Sequence, residues 1–285
     1  MTSSIRPPYL KDSLPGRRRW PLAFAHRGAD TARENTLTAF RNAVERGYGY
    51  LELDVRTTAD GVLMVFHDET LDRNTTGTGR LCEHTWDELS RLRVIDPAGA
   101  VRPAAVGTAG PDPLEGEHLL RFEDLLTAWP DVRLNVDLKD DAAAEAIVPV
   151  IARHDAWDRV LIASFHDARR RRFSRAAGRR IAMSGGWLAI AALVVAAPLG
   201  LTGFVGRRLA HVDCVQVPVK QGPIPVVTPT FVARCQAAGL QVHVWVVDDP
   251  AEMERLLALG VDGLMTDESE ALASVMEARG YWPQR

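Results

Sequence analysis

Short apolar runs alternate with helical patterns along most of the 285-residue chain. PLAFA (21–25) predicts a strand, and ENTLTAFRNAVERG (34–47) a helix closing on Gly47. YLELDVRTT (50–58) and VLMVFHD (62–68) predict strands joined by the turn-forming Ala59-Asp60-Gly61. RFEDLLTAW (121–129) predicts a helix, VRLNVDLK (132–139) a strand and AAAEAIVPVIARH (142–154) a helix that tolerates Pro149. RVLIASF (159–165) reads as a strand, followed by an Arg-rich helix, the strand RRIAMSGG (179–186) and an apolar helix. The alternation continues with strand VDCVQVPV (212–219), helix TPTFVARCQAAG (228–239) and strand VHVWVV (242–247). It ends with helix PAEMERLLALG (250–260) and the short strand VDGLMTD (261–267).

That repeated order calls for parallel strands with helical crossovers. Nine strand candidates predict a (β/α)8 TIM-type barrel with one peripheral strand. A doubly wound open sheet is the alternative, lowered because no G-x-G-x-x-G follows the first strand. The barrel is expected over 21–275, after a polar leader (1–20) and before a C-terminal tail (276–285). The Pro/Gly/Ala-rich stretch 96–118 reads as a small insertion loop.

Strands of a parallel barrel are covered on both faces and should be almost wholly apolar, so polar interruptions are informative. In YLELDVR, Glu52 and Asp54 alternate with Leu51, Leu53 and Val55; in VRLNVDLK, Asn135, Asp137 and Lys139 alternate with Leu134, Val136 and Leu138. His26-Arg27 ends the first strand and His67-Asp68 the third. All of these lie at the strand ends where barrel enzymes keep their chemistry. Taken singly, each has a bland reading: a solvated edge for the carboxylates, a cap for a histidine, a snorkelling Lys139. Together they would converge on one mouth. Three carboxylates without clustered Cys or His favour a hard cation, Mg²⁺ or Ca²⁺. Two histidines suit a general acid and base, and Arg27 with Lys139 suits an anionic substrate such as a phosphodiester.

Composition narrows the classes. The chain is 46% apolar and 25% charged, with a net charge of −3, so it is neither disordered nor a basic nucleic-acid binder. Three widely spaced cysteines argue against a disulfide framework or a thiolate zinc site, and the N-terminus lacks the apolar region of a signal peptide. Both point to the cytoplasm.

The motifs H-R-G (26–28), E-N-T (34–36), E-L-D-V (52–55), H-D (67–68), T-G-x-G (76–79) and G-V-D-G-L-M-T-D (260–267) resemble those of glycerophosphodiester phosphodiesterases. The resemblance implies a TIM-type barrel of glycerol and lipid metabolism. It would hydrolyse glycerophosphodiesters to sn-glycerol 3-phosphate and an alcohol, with a divalent cation. It makes His26 and His67 the acid/base pair; our reading takes His26 as the base and His67 as the acid, an assignment the sequence leaves open. Arg27 and Lys139 become phosphate contacts, and Glu52, Asp54 and Asp137 the metal ligands. Asp137 stands where the family commonly has a glutamate. Glu34 would orient Arg27 or a histidine, with a helix cap as its plain alternative, and Trp245 would line the substrate site.

Residues 187–205 carry no charge and are flanked by arginines. Pro198 and Gly200 interrupt the run, and the β/α order requires a barrel helix there. A helix resting on a membrane surface is the second reading, and it would move the function toward a lysophospholipase D acting on lysolipids. Two other classes compete: a glycosidase using paired carboxylates, and a catalytically silent barrel serving as a binding module.

Overall fold

The computed structural model describes residues 7–13, 20–97, 117–209 and 211–285. Eight parallel strands follow one another around a barrel: β1 (Leu22–His26), β2 (Tyr50–Thr57), β3 (Arg133–Leu138), β4 (Val160–Ala163), β5 (Ala182–Met183), β6 (Cys214–Val217), β7 (Gln241–Val244) and β8 (Gly263–Thr266). The hydrogen-bonded order runs from β5 through β4, β3, β2, β1, β8 and β7 to β6. A parallel bridge between Ser184 and Cys214 closes the ring, reinforced by Gly185 N donating to Cys214 O at 2.8 Å. The expected peripheral strand is Leu63–Val65, antiparallel to β2, and it pairs in turn with Leu120–Arg121. The insertion expected at 96–118 falls almost wholly outside the described residues, which omit 98–116.

The period-two pattern of the strands sorts two cores. Leu51, Leu53, Val55, Leu134, Val136 and Leu138 face outward and join the sheet-to-helix layer. Phe24, Tyr50, Leu161, Cys214 and Met265 fill the barrel interior, together with Tyr9 and Leu10 from the 3₁₀ turn Pro8–Ser13. Tyr9 is fully buried and meets Tyr50 edge-to-face at 5.5 Å, so part of the leader packs inside the barrel. The C-terminal segment also docks. Gln284 accepts from Ala23 N at 2.8 Å and donates to Pro21 O at 2.7 Å. Cys82, Cys214 and Cys235 are unbridged.

Two sequence expectations change on folding. The first helix begins at Leu37, not Glu34, because Thr36 takes the cap and accepts from Ala39 N at 3.2 Å. Gly47 closes it in the left-handed region at φ 111°, as expected. The apolar run 187–205 forms two helices, Trp187–Leu199 and Thr202–Arg208, broken at Gly200 with φ 75°. Among the described residues no helix is long and apolar enough to cross a membrane.

Candidate active site

The C-terminal ends of the strands surround a cavity of about 200 Å³. Every residue expected at the site lines it except Glu34: His26, Arg27, Glu52, Asp54, His67, Asp137, Lys139 and Trp245. Register explains the convergence. β2 runs beside β3 with Glu52 opposite Asn135 and Asp54 opposite Asp137, so alternate residues of both strands present oxygens to the interior.

The turn after β1 is built under strain. Arg27, Gly28 and Ala29 all have positive φ (51°, 89° and 53°), a region that costs a non-glycine residue about 1–3 kcal/mol. Arg27 N donates to Glu52 O at 2.9 Å, and Asn35, itself at φ 61°, donates its N–H to Arg27 O at 2.9 Å. The turn aims the Arg27 side chain back over the cavity. Its Nε sits 3.0 Å from Asp54 Oδ2 and its Nη1 3.3 Å from Glu34 Oε2. Glu34 is thus no helix cap. It is held between Arg27 and Arg73, whose Nη2 donates to Glu34 Oε1 at 2.5 Å.

Each histidine is fixed by a carboxylate on Nδ1. His26 Nδ1 lies 2.7 Å from Asp267 Oδ1, leaving Nε2 on the cavity side, 3.7 Å from Glu52 Oε2. His67 Nδ1 lies 2.6 Å from Asp68 Oδ1. The two carboxylates differ in company: Asp68 also accepts from Arg73 Nε at 2.5 Å, whereas Asp267 Oδ1 is given to the imidazole. The electrostatics follow. Burial alone would lower the pKa of His26, but the field of Glu52 and the bond to Asp267 outweigh it and raise it. Burial lowers that of His67, and Asp54 and Asp68 do not recover the loss.

The carboxylates are just as differentiated. Burial, helped by Asp54, pushes Glu52 up to about 7. Asp54 goes the other way despite burial, because Lys139 and Arg27 hold it well below the usual range. Burial keeps Asp137 above the usual range, against the pull of Lys139. Lys139 Nζ bridges Asp54 Oδ1 at 3.0 Å and Asp137 Oδ2 at 2.7 Å, and these two carboxylates overcome its own burial to raise its pKa. With Lys139 and Arg27 between them, no three carboxylates or imidazoles among the described residues converge as a ready ligand cage. Two oxygens facing the cavity nevertheless lack a hydrogen-bond partner although buried, Asp137 Oδ1 and Asn135 Oδ1.

Part of the lining is apolar. Trp245 follows β7 and meets Phe165 edge-to-face at 5.8 Å, with Ile190 and Met265 beside them. Residues that sequence reasoning left without a role are Asp267, Asp68, Arg73, Asn35 and Asn135. Asp267, Asp68 and Asn35 sit inside motifs already singled out, in T-D, H-D and E-N-T, and Asn135 shares its strand face with Asp137. Arg73 carries no such signal.

A sequence model of the glycerophosphoryl diester phosphodiesterase family matches residues 26–271. The chain is 40% identical over 263 residues to a probable glycerophosphodiester phosphodiesterase 2 of Mycobacterium tuberculosis, covering 92% of both proteins. A putative glycerophosphoryl diester phosphodiesterase from Silicibacter pomeroyi shares the fold, with a TM-score of 0.75 and 22% identity over 96% of this chain and 99% of that one. An Oleispira antarctica phosphodiesterase, solved in complex with its product sn-glycerol-3-phosphate, has a TM-score of 0.71 and 22% identity, over 90% and 97% of the two chains.

Proposed function

The chain belongs to the glycerophosphoryl diester phosphodiesterase family, and from that premise we propose that it hydrolyses glycerophosphodiesters to sn-glycerol 3-phosphate and an alcohol, using two imidazoles and a divalent cation. The observation that carries the reading is the pairing of two carboxylate-held histidines, His26 and His67, on one cavity with Arg27 and Lys139. The product bound to the Oleispira antarctica protein supports the same product here.

Glu52, Asp54 and Asp137 would hold the cation, Mg²⁺ or Ca²⁺. The donor chemistry fits a hard cation, because Glu52, Asp54, Asp137 and Asn135 present oxygens side by side, and Asp137 Oδ1 and Asn135 Oδ1 are buried without partners. Glu52, destabilised as an anion by burial, gains most from a positive neighbour. When bound, the cation draws charge from a phosphate oxygen. Arg27 and Lys139 neutralise the remaining charge as it develops on the phosphoryl oxygens. Trp245 packs against the substrate, and Glu34 positions Arg27.

His26 acts as base and His67 as acid. Asp267 stabilises the imidazolium that forms as His26 takes the nucleophile's proton. Asp68, its charge shared with Arg73, stabilises the His67 imidazolium less. With the pKa of His26 raised and that of His67 lowered, the reacting form, His26 neutral and His67 protonated, is the less populated of the two singly protonated forms. The nucleophile, water or the glycerol 2-hydroxyl, bonds to phosphorus as the bond to the departing alcohol breaks. The alcohol oxygen leaves with the proton from His67. Where the 2-hydroxyl attacks, water then bonds to phosphorus as the ring P–O bond to the 2-oxygen breaks, His67 taking the water's proton and His26 returning its own to the 2-oxygen. Removing either imidazole costs about 10²–10⁴ in rate.

The test is release of glycerol 3-phosphate from glycerophosphocholine and glycerophosphoethanolamine with Mg²⁺, with Ca²⁺ and with EDTA. Release that needs metal and vanishes in Glu52→Ala is expected. Turnover indifferent to EDTA would remove the cation, and full activity in His67→Ala would remove the histidine pair. Transient cyclic glycerophosphate would identify the 2-hydroxyl as nucleophile. The apolar wall of Phe165, Ile190, Trp245 and Met265 favours a second reading, in which a lysolipid is the substrate. Faster turnover of lysophosphatidylcholine than of glycerophosphocholine would select it.

A further inference from the structure

The helix Trp187–Leu199 is apolar on all sides but buried on only one. Ala189, Ile190, Leu193, Ala196 and Ala197 pack inward. On the other side Leu188, Val195 and Leu199 are 69%, 65% and 65% exposed. Their spacing places them on one stripe of the helix, with the exposed Ala191 and Ala192 between them. Beyond the break at Gly200 the apolar surface continues through Leu201 and Phe204, both about half exposed. Scattered surface leucines need no account, but a continuous stripe marks a surface that something covers.

Charge says what kind of partner covers it. Between residues 168 and 247 the chain has eleven Lys and Arg residues and one carboxylate, Asp213, which is buried and paired with Arg180 at 2.5 Å. Four of these arginines, Arg169, Arg170, Arg172 and Arg180, are paired with carboxylates, and the basic surface is carried by the others, Arg207, Arg208 and Arg234 among them. Exposed arginines edge the stripe itself. The Arg208 guanidinium lies 4.3 Å over the Phe204 ring, Arg207 follows Phe204 by three residues, and Arg234 lies against Gly200.

We propose that this stripe docks the protein on an anionic lipid bilayer. Apolar side chains with an arginine rim match an acyl interior beneath a negative headgroup layer. A two-fold dimer through the same patch would oppose Arg207, Arg208 and Arg234 to their own copies, so like charge disfavours self-association there. The stripe also begins at the catalytic mouth. Ile190 lines the cavity, and the exposed Trp187 donates its N–H to Phe165 O at 3.0 Å, beside the indole of Trp245. Docking would therefore bring the apolar rim of the site to the lipid surface. The stripe and its arginine rim are the same whichever diester is cleaved.

Co-flotation of the full chain with vesicles tests it, using phosphatidylcholine alone and equal parts phosphatidylcholine and phosphatidylglycerol, at low and high salt. Binding is expected only to the anionic vesicles and should weaken with salt. The triple variant L188S/V195S/L199S and, independently, R207E/R208E should each bind about tenfold less or weaker still. Both should keep the wild-type rate on glycerophosphocholine and the wild-type circular dichroism. Absence of co-flotation at low salt overturns the proposal, as does binding that neither variant reduces. A concentration-dependent dimer that L188S/V195S/L199S dissolves, without vesicle binding, would assign the stripe to a second copy of the chain instead.

Discussion

His26 Nδ1 and Asp267 Oδ1 meet at 2.7 Å although 241 residues separate them. The contact exists because β1 and β8 are parallel neighbours with Ala25 opposite Thr266, which brings His26, the last residue of β1, level with Asp267, the first after β8. The carboxylate fixes which imidazole nitrogen faces the cavity, and its charge favours the protonated ring.

Asp267→Asn is therefore expected to keep the fold and lower kcat by about 10²-fold or more, since the amide no longer supports the imidazolium. The pH profile gives the separate readout. Activity needs one histidine neutral and one protonated, so the alkaline limb reports the higher of the two, His26, whose pKa is raised. Without Asp267 that limb should move to lower pH, while the acidic limb, set by His67, stays in place. An unchanged alkaline limb in D267N would show that Asp267 has no electrostatic part in catalysis.

Glu52 stores a cost in the metal-free protein. Its pKa in the fold, about 7, lies above its unfolded value, so ionising it destabilises the native state, and the penalty grows from about pH 4.5 to pH 7. In EDTA at pH 8, Glu52→Gln should be more stable than wild type by on the order of 2 kcal/mol, a difference that closes toward pH 5. Mg²⁺ or Ca²⁺ should raise the wild-type Tm and leave that of E52Q nearly unmoved. Parallel melting curves across this pH range would refute the assignment.

Lys139 is the counter-ion of two buried carboxylates, so removing it strands them. Lys139→Met should cost about 3–5 kcal/mol in denaturant titration at neutral pH, because Asp54 and Asp137 lose the cation between them. The deficit should shrink in acid, where protonation of the carboxylates removes the stranded charge. Turnover should also drop, through loss of a phosphate contact. Wild-type stability in K139M would mean that Arg27 alone balances the site.

Gly28 tests the strained turn. A Cβ there would lie 2.6 Å from Ala39 Cβ and 2.9 Å from the Ala39 carbonyl carbon, at a φ of 89° that side chains rarely adopt. Gly28→Ala should destabilise by roughly 2–3 kcal/mol and reduce kcat, since Arg27 and His26 sit on that turn. A variant as stable and active as wild type would show the turn to be compliant.

Period-two patterning made much of this protein legible before folding. Polar residues alternating with Leu and Val in YLELDVR and VRLNVDLK fit an interior that tolerates charge, and a parallel barrel has such an interior at the carboxyl ends of its strands. The candidate site residues on β2 and β3 follow from that alternation, a local property that neighbouring side chains dictate, and His26-Arg27 from its place at the end of β1. What tertiary structure alone decided is the pairing of groups distant in sequence. No local signal joins His26 to Asp267 or Glu34 to Arg73, or lets Lys139 claim both Asp54 and Asp137. The break of the apolar run at Gly200 was foreshadowed by its proline and glycine, but which face stays exposed depends on how the helix seats on the barrel. Tyr9 and Leu10, part of a leader that reads as polar, enter the interior because the closed ring leaves an apolar space for them to fill. Strand faces are chosen by neighbours one and two residues away, whereas charge partners and plugs are chosen by strand order and register, which exist only once the ring has formed.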